Sequence, residues 1–297
     1  MINTVISVCE RKDQEAWAVA SDYVVKNIEA ENYLLIVPDS QVEEFQACTN
    51  AAYEIVGETN YIGDLATRIA AKLPTSQASR MGWYLQQFVK LSALERASDQ
   101  ELLLIWDADT VPLKKLNFVS PQGQVLHYVS GEYHQPAYDN VTALLSLEKQ
   151  VSYSFVAQSF AIKGAWVKEF MTHIEELHQR PWQEAILESI DFNESSGFSE
   201  YEVLGAYLTA FHNEHICANH TRWQRFGNRM IGEIGNLRRQ PFKYMLRRFD
   251  FVSFEVWDAP EQNASTLRLV ANALWPVVKA KLLKVKALGG MFRGKRA

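Results

Sequence analysis

The segment Leu102-Leu-Leu-Ile-Trp-Asp107-Ala-Asp109-Thr-Val-Pro112 carries the strongest structural signal in the sequence. Its first five residues are apolar and predict a buried strand. Two carboxylates follow two residues apart, so both can project to one side of the chain as the strand ends. Such hard oxygen ligands suit Mg²⁺ or Mn²⁺, which complete their shell with water and phosphate oxygens. The segment therefore predicts a metal site at Asp107 and Asp109, with a solvated turn as the alternative.

Strands and helices alternate through the first part of the chain. Apolar runs predict strands over 4–9, 33–37, 53–56 and 102–106, and helical spacing predicts helices over 17–28, 62–73 and 82–96. Farther along, the patterns predict strands over 125–129 and 153–162, and helices over 165–177 and 200–211. This alternation is typical of an α/β fold with a mostly parallel sheet flanked by crossover helices. Ligands of such sheets bind at the carboxyl ends of the strands.

Composition and cysteine usage restrict the class of protein. The 297 residues are 47% hydrophobic, which is enough to bury a large core, and no run of 18 apolar residues is present to span a bilayer. The three cysteines are odd in number and far apart, which argues against a disulfide framework and against a zinc site. The short apolar start lacks the basic region of a signal peptide. We expect a cytoplasmic protein.

Charge is distributed unevenly along the chain. Residues 263–297 contain eight Lys or Arg and no Asp or Glu, interleaved with Leu, Val and Trp275, while the other 262 residues carry 22 basic and 35 acidic side chains. We therefore predict a globular domain over 1–260 and a basic amphipathic helical tail over 261–297 that binds an anionic membrane surface peripherally. A terminal helix docked on its own domain is the alternative. The acidic body and the lack of a recognisable module argue against nucleic acid as a partner.

Two further segments carry a family resemblance. Gly82-Trp-Tyr-Leu-Gln-Gln-Phe-Val-Lys-Leu91 and Ser199-Glu-Tyr-Glu-Val-Leu-Gly205 flank the Asp-Ala-Asp element. In this order, the three segments resemble a family of bacterial glycosyltransferase-like proteins, and the Asp-Ala-Asp element resembles the D-x-D element of GT-A glycosyltransferases. The similarity covers roughly Thr4 to Trp223.

The resemblance implies a GT-A (Rossmann-like) fold and an activity. The activity is the metal-dependent transfer of a sugar from a nucleotide-diphosphate donor, a UDP sugar being favoured, to a polysaccharide or glycolipid acceptor. The implied cofactor is Mn²⁺ or Mg²⁺, with Asp109 as the first metal ligand and Asp107 as the second, and one of the two carboxylates can also reach the donor ribose or a metal-bound water. By the same analogy, His220 completes the metal shell. A structural histidine is the alternative.

Polar residues near the predicted strand ends and on the predicted 82–96 helix are candidates for donor binding. Contacts to base and ribose are expected at strand ends, and a Lys or Arg near the diphosphate would supply charge-assisted hydrogen bonds. Turn chemistry and an ordinary solvated helix face are the respective alternatives. The candidates are Ser7, Arg11, Asp39, Arg80, Gln87, Lys90 and Asp107.

Glu200 and Glu202 are the candidates for the catalytic base. An inverting transferase needs a carboxylate to accept the proton of the acceptor hydroxyl. Ser199 is the predicted N-cap of the 200–211 helix, and a capping box would explain Glu202 structurally, so Glu200 is slightly preferred. Trp223 could stack on a sugar. We expect an inverting mechanism, with a retaining mechanism as the alternative.

Two other functions fit parts of the sequence. A nucleotidyltransferase could use a related sheet and paired acids, but it usually carries a Gly-rich basic loop near its N-terminus, and Ser7-Val-Cys-Glu-Arg-Lys12 contains no glycine. A non-catalytic glycan-binding scaffold would keep the fold without turnover.

Overall fold

The computed structural model describes residues 1–240 and 242–258. The predicted tail over 261–297 lies outside the described residues. The described strands are β1 (Ile2–Val8), β2 (Ala30–Val37), β3 (Tyr53–Gly57), β4 (Leu102–Trp106), β5 (Thr110–Pro112), β6 (Val125–Tyr128), β7 (Ser159–Lys163), β8 (Ile216–Asn219) and β9 (Phe251–Ser253).

The described helices cover and connect these strands. They are α1 (Gln14–Asn27), α2 (Val42–Gln46), α3 (Thr59–Ile62), α4 (Leu65–Lys72), α5 (Met81–Glu95), α6 (Gln135–Leu145), α7 (Gly164–His178), α8 (Trp182–Ser189), α9 (Glu200–Phe211), α10 (Gly227–Ile231) and α11 (Phe242–Leu246). None of them is both long enough and apolar enough to cross a membrane.

The main sheet has five strands in the order β3-β2-β1-β4-β7. The first four are mutually parallel, and β7 is antiparallel to β4. Every residue of β4 is buried, as expected for a central strand covered on both faces. The prediction of an α/β fold with a mostly parallel sheet flanked by helices is therefore confirmed.

Backbone conformation at two positions changes the predicted boundaries. The helix predicted over 62–73 is interrupted because Gly63 has a φ of 52°, a left-handed conformation that glycine adopts without strain. The strand predicted over 153–162 begins only at Ser159, because Gln158 has a φ of 62° and cannot continue an extended ladder.

A smaller structure built around β5 and β9 holds the end of the described chain beside the Asp-Ala-Asp element. The two strands pair antiparallel, with Thr110 opposite Ser253, and the Phe254 amide donates to the carbonyl of Asp109 at 2.9 Å. A second apolar cluster supports this pairing and joins α1, β5 and residues 231–254. As a result, Glu255 and Trp257 lie next to the end of β4.

Candidate active site

A cavity of about 270 Å³ opens where β1 and β4 end, at the carboxyl edge of the sheet. This is the position at which parallel α/β sheets bind ligands. Its walls include side chains from α5, α9 and the segment after β9. Five carboxylates line it: Asp13, Asp107, Asp109, Glu200 and Glu255. We call it the first cavity.

A buried lysine holds two of these carboxylates. Lys90 of α5 donates from Nζ to Oδ1 of Asp107 and to Oε1 of Glu200, both at 2.7 Å. The Tyr201 hydroxyl also donates to Oδ1 of Asp107, at 2.6 Å. Lys90 is only 3% exposed. Burial lowers the pKa of Lys90, but Asp107 and Glu200 raise it by more, so the ammonium stays charged. The solvated-face alternative for this helix is therefore wrong at Lys90.

Among the described residues, no Lys or Arg forms an ion pair with Asp109. Burial raises the pKa of its carboxyl well above the ordinary range, and Glu255, Asp107 and Asp13 raise it further. Burial likewise raises the pKa of Asp13 to about 6. Thr110 donates to Oδ1 of Asp109 at 3.1 Å, which offsets little of this repulsion. A bound cation would relieve the crowding of negative charge.

The donor set fits a divalent cation that is shared with phosphate. Within the described residues, no group of three or more His, Cys, Asp or Glu side chains is arranged to hold a metal. Asp107 and Asp109 would supply two carboxylates, and water and a phosphate substrate the remaining ligands. Mg²⁺ is commonly bound in this way.

Gln158 and Glu255 support the site, and neither was predicted from the sequence. The Asp107 amide donates to the carbonyl of Gln158 at 3.0 Å, and the Gln158 side chain donates to Oε1 of Glu255 at 2.8 Å. Glu255 also forms an ion pair with Arg225 at 2.9 Å. The left-handed backbone of Gln158 costs free energy, and such strain often accompanies functional sites.

A second cavity of about 440 Å³ adjoins the first. Arg80, Trp83, Arg225, Glu255 and Trp257 line both cavities. The second cavity is rich in aromatic side chains, and two at its rim are unusually exposed: Tyr133 at 73% and Trp257 at 56%. Exposed aromatic faces beside a cavity mark a surface that can pack against a ligand.

Gln87 and Arg80, two of the residues predicted to contact the donor, both line the first cavity. Oε1 of Gln87 accepts a hydrogen bond from the Glu200 amide at 3.1 Å, so this side chain also anchors the start of α9. Arg80 donates to Oγ of Ser196 at 3.0 Å and lies over the ring of Trp83. Burial lowers the pKa of Arg80. No described carboxylate pairs with it, which leaves Arg80 available to a ligand anion.

Three predicted donor contacts do not line this cavity. Ser7 is fully buried, and its hydroxyl donates to the carbonyl of Trp106 at 2.8 Å, so its prediction as a ligand contact is wrong. Arg11 is exposed and forms an ion pair with Glu44 at 2.6 Å. Asp39 accepts hydrogen bonds from the Thr59 hydroxyl and, at 3.0 Å, from the Thr59 amide. The hydroxyl, and to a smaller extent the amide, lowers the pKa of the Asp39 carboxyl.

Glu202 lines the second cavity and not the first. Its carboxylate accepts hydrogen bonds from the Ser154 hydroxyl, from the Phe155 amide at 3.2 Å and from Lys149 at 2.9 Å. Ser199 is the N-cap, as predicted, with the Glu202 amide donating to its hydroxyl at 3.4 Å. The capping box is incomplete, because the Glu202 side chain is held by these other donors.

His220 and Trp223 are placed away from both cavities. The ring of His220 packs edge-on against Tyr153, with ring centroids 5.7 Å apart, so the structure does not bring it to the two aspartates. Trp223 donates from its indole nitrogen to the carbonyl of Val129 at 3.1 Å and stacks on Phe251. The alternative of a structural role is favoured for both.

The chain belongs to a family of unknown function (DUF6492), whose model matches residues 21–233. No curated protein matches the sequence. The solved structures that it resembles include the galactosyltransferase LgtC in complex with donor and acceptor sugar analogues. That structure is 10% identical, with a TM-score of 0.41, and the match covers 84% of this chain and 86% of that one.

Two more solved glycosyltransferases are similar at the level of the fold. Apo mouse xyloside xylosyltransferase 1 is 6% identical, with a TM-score of 0.45 and coverage of 86% of this chain and 98% of that one. Apo GlyE of Streptococcus pneumoniae TIGR4 is 13% identical, with a TM-score of 0.42 and coverage of 96% and 64%. All three are glycosyltransferases, the class of protein that the sequence resemblance also names.

Proposed function

We propose that this protein is a metal-dependent glycosyltransferase that moves a sugar from a nucleotide-diphosphate donor to a glycan or glycolipid acceptor. The observation that carries the proposal is the pair of adjoining cavities. One contains a carboxylate pair at a strand end, and the other contains exposed aromatic rings. Two substrates of different chemistry can therefore meet at the wall that the cavities share.

The first cavity suits the nucleotide-diphosphate end of a donor. Asp107 and Asp109 would hold Mn²⁺ or Mg²⁺, which would neutralise the diphosphate leaving group as its bond to the sugar breaks. Arg80 is a further cation at the wall and could bind a phosphate oxygen in a bidentate manner. Lys90 acts indirectly, because its ammonium is occupied by Asp107 and Glu200 and fixes the position of both.

Glu200 is the proposed base. It is 4% exposed, lines the first cavity and forms an ion pair with Lys90. Burial raises the pKa of the Glu200 carboxyl, and the charge of Lys90 offsets only part of this rise. In an inverting transfer, Glu200 would take the proton from the acceptor hydroxyl. The acceptor oxygen would bond to the anomeric carbon, and the nucleoside diphosphate would leave with the electron pair of the broken bond.

The second cavity suits the acceptor. Trp257 and Tyr133 offer aromatic faces that can pack on the apolar face of a sugar ring. Glu132 and Arg225 line the same cavity, form an ion pair at 2.6 Å and supply polar groups that can bind hydroxyls. This combination of apolar and polar surface is expected of a site for a polyhydroxylated ligand.

The decisive experiment is a screen of sugar nucleotides for metal-dependent release of nucleoside diphosphate. A glycosyltransferase releases nucleoside diphosphate from at least one donor in Mn²⁺ or Mg²⁺ and is silent in EDTA. A nucleotidyltransferase instead releases pyrophosphate from a nucleoside triphosphate and a sugar phosphate. A scaffold binds glycan without either turnover, and either of these two results would overturn the proposal.

Asp109→Asn tests whether Asp109 is a metal ligand. It should lower turnover at least ~10²-fold, because the variant loses a charged ligand of the metal. The melting temperature should not fall, because the substitution removes a repelled carboxylate. Asp99→Asn, an exposed aspartate that pairs with Lys168, is the control and should keep full activity. Full activity of Asp109→Asn would contradict the metal assignment.

A further inference from the structure

The segment over 234–249 presents a basic surface that the proposed catalytic function does not use. It contains five Lys or Arg and no Asp or Glu. All five cations are exposed, as is Tyr244 at 56%. We call this surface the basic face, and it consists of Arg238, Arg239, Lys243, Tyr244, Arg247 and Arg248.

The basic face is held firmly on the body of the protein. Its segment buries Phe242, Met245 and Leu246 on the opposite side of α11. These side chains join the apolar cluster that includes Ala20 of α1 and Val111 of β5. The cations are therefore displayed by an anchored amphipathic segment, with a fixed orientation relative to the sheet.

The charge of the basic face is almost uncompensated. Among the described residues, only Arg238 has a carboxylate within ion-pair distance, Asp22 at 3.8 Å. Arg247 lies over the ring of Tyr244 at 3.7 Å, which leaves its guanidinium edge open to solvent anions. Since the whole chain carries a net charge of −5, this concentration of positive charge is local. Such a patch attracts a negatively charged surface.

We propose that the basic face docks the protein on the surface of a membrane that contains anionic phospholipid. Five exposed cations within one short segment match the charge of such a surface, and an exposed tyrosine is suited to the boundary between headgroups and acyl chains. Nucleic acid fits less well, because the sequence contains no recognisable nucleic-acid-binding module.

Docking in this way would bring the active site close to the membrane. The chain runs from Arg248 through β9 directly to Glu255, which lines both cavities. Seven residues span at most about 25 Å when fully extended. The cavities therefore lie within that distance of the basic face, where the headgroup of a lipid-linked molecule could reach them.

The experiment is co-sedimentation of the full chain with phosphatidylcholine vesicles, with and without phosphatidylglycerol, at low and physiological salt. The test variant combines Arg239→Gln, Lys243→Gln, Arg247→Gln and Arg248→Gln. The control removes four exposed cations from other elements by Lys72→Gln, Lys163→Gln, Lys168→Gln and Arg180→Gln. Both variants change the net charge equally, and overlapping thermal melts establish that both are folded. If the fourfold variant has a lower melting temperature than the parent, the double variant Arg247→Gln and Arg248→Gln replaces it.

The parent should bind vesicles that contain phosphatidylglycerol, and salt should release it. Because each engaged cation contributes about a fivefold factor to partitioning, the test variant should bind at least tenfold more weakly, while the control should bind like the parent. The proposal is overturned if the parent ignores phosphatidylglycerol, if the test variant binds like the parent, or if both variants lose binding equally. The proposal is also overturned if the test variant loses binding to a short DNA duplex but binds vesicles like the parent.

Discussion

Glu200 and Glu202 stand two residues apart at the start of one helix, yet they belong to different surroundings. The first lines the cavity with the aspartate pair and is held by a single ammonium. The second accepts hydrogen bonds from a hydroxyl, an amide and an ammonium. A carboxylate whose acceptor sites are filled by protein donors is poorly placed to take a proton from substrate. Glu202 therefore has the features of a structural residue.

Amide substitutions separate the two roles. Glu200→Gln should lower turnover by ~10²–10⁴, the usual contribution of a general base, with nucleotide affinity retained. Glu202→Gln cannot form an ion pair with Lys149, so it should lower the free energy of unfolding by about 1–3 kcal/mol, with the turnover of the folded enzyme little changed. Initial rates and chemical denaturation of both variants measure these effects. If Glu202→Gln lost turnover and Glu200→Gln kept it, the catalytic role would belong to Glu202.

The sequence predicts the part of the cavity wall that comes from segments with a clear pattern. Asp107 and Asp109 follow a strand, and Gln87 and Lys90 recur on a helix, so their common edge could be predicted. Glu255 could not be predicted, because it follows a strand of only three residues. Ser7 was misassigned because position alone does not reveal that a hydroxyl is satisfied by a carbonyl inside the sheet.

Among the elements, β4 and α9 were predicted with their observed bounds, since one is a continuous apolar run and the other has a capped start. The antiparallel direction of β7 carries no local signal. The direction of β7 depends on the long connection between β4 and β7 and on the pairing of β7 with β4. Periodicity therefore predicts the bounds of the most strongly patterned elements, but not how elements distant in sequence pair with one another.

Strand β6 contains a buried histidine that should make stability depend on pH. His127 packs against Phe160, with ring centroids 4.6 Å apart, and neither ring nitrogen has a hydrogen-bond partner among the described residues. Burial lowers the pKa of His127 to about 3. As the pH falls below the ordinary value of 6.5, the unfolded chain takes up a proton that the folded chain does not. Stability is therefore lost as the pH decreases toward 3.

His127→Phe should remove this dependence. Between pH 7.5 and 5, the parent should lose about 2 kcal/mol more of its free energy of unfolding than the variant does. Urea denaturation at both pH values measures the difference. His215→Gln changes an exposed histidine and should keep the slope of the parent. Parallel pH profiles for the parent and His127→Phe would show that the ring is protonated in the folded state or reaches water.

For the whole molecule, positive charge is concentrated in two places that adjoin in sequence. One is the basic face of the described structure. The other is the predicted tail, whose residues 263–297 hold eight basic and no acidic side chains. Because the rest of the chain is acidic, an anionic membrane would attract these two regions and repel the opposite side. We therefore propose that the tail and the basic face bind the same membrane and orient the body on it.

Two attachments on one body should act together. A chain that ends at Pro260 should bind vesicles containing phosphatidylglycerol more weakly than the full chain, because each engaged cation contributes roughly 1 kcal/mol near the surface. The shortened chain should keep measurable binding through the basic face. Neutralising Arg239, Lys243, Arg247 and Arg248 in it should then abolish that remainder.

Co-sedimentation of four proteins, the full and shortened chains with and without these substitutions, measures both contributions and their coupling. Metal-dependent release of nucleoside diphosphate without vesicles should be unchanged by the four substitutions, because none of these residues lines either cavity. Equal vesicle binding by the full and shortened chains would leave the tail without a role in attachment. Uncoupled surfaces would give additive losses of binding free energy. Joint engagement makes the sum of the two single losses exceed the loss of both, because each single removal already forfeits the advantage of an intramolecular second attachment.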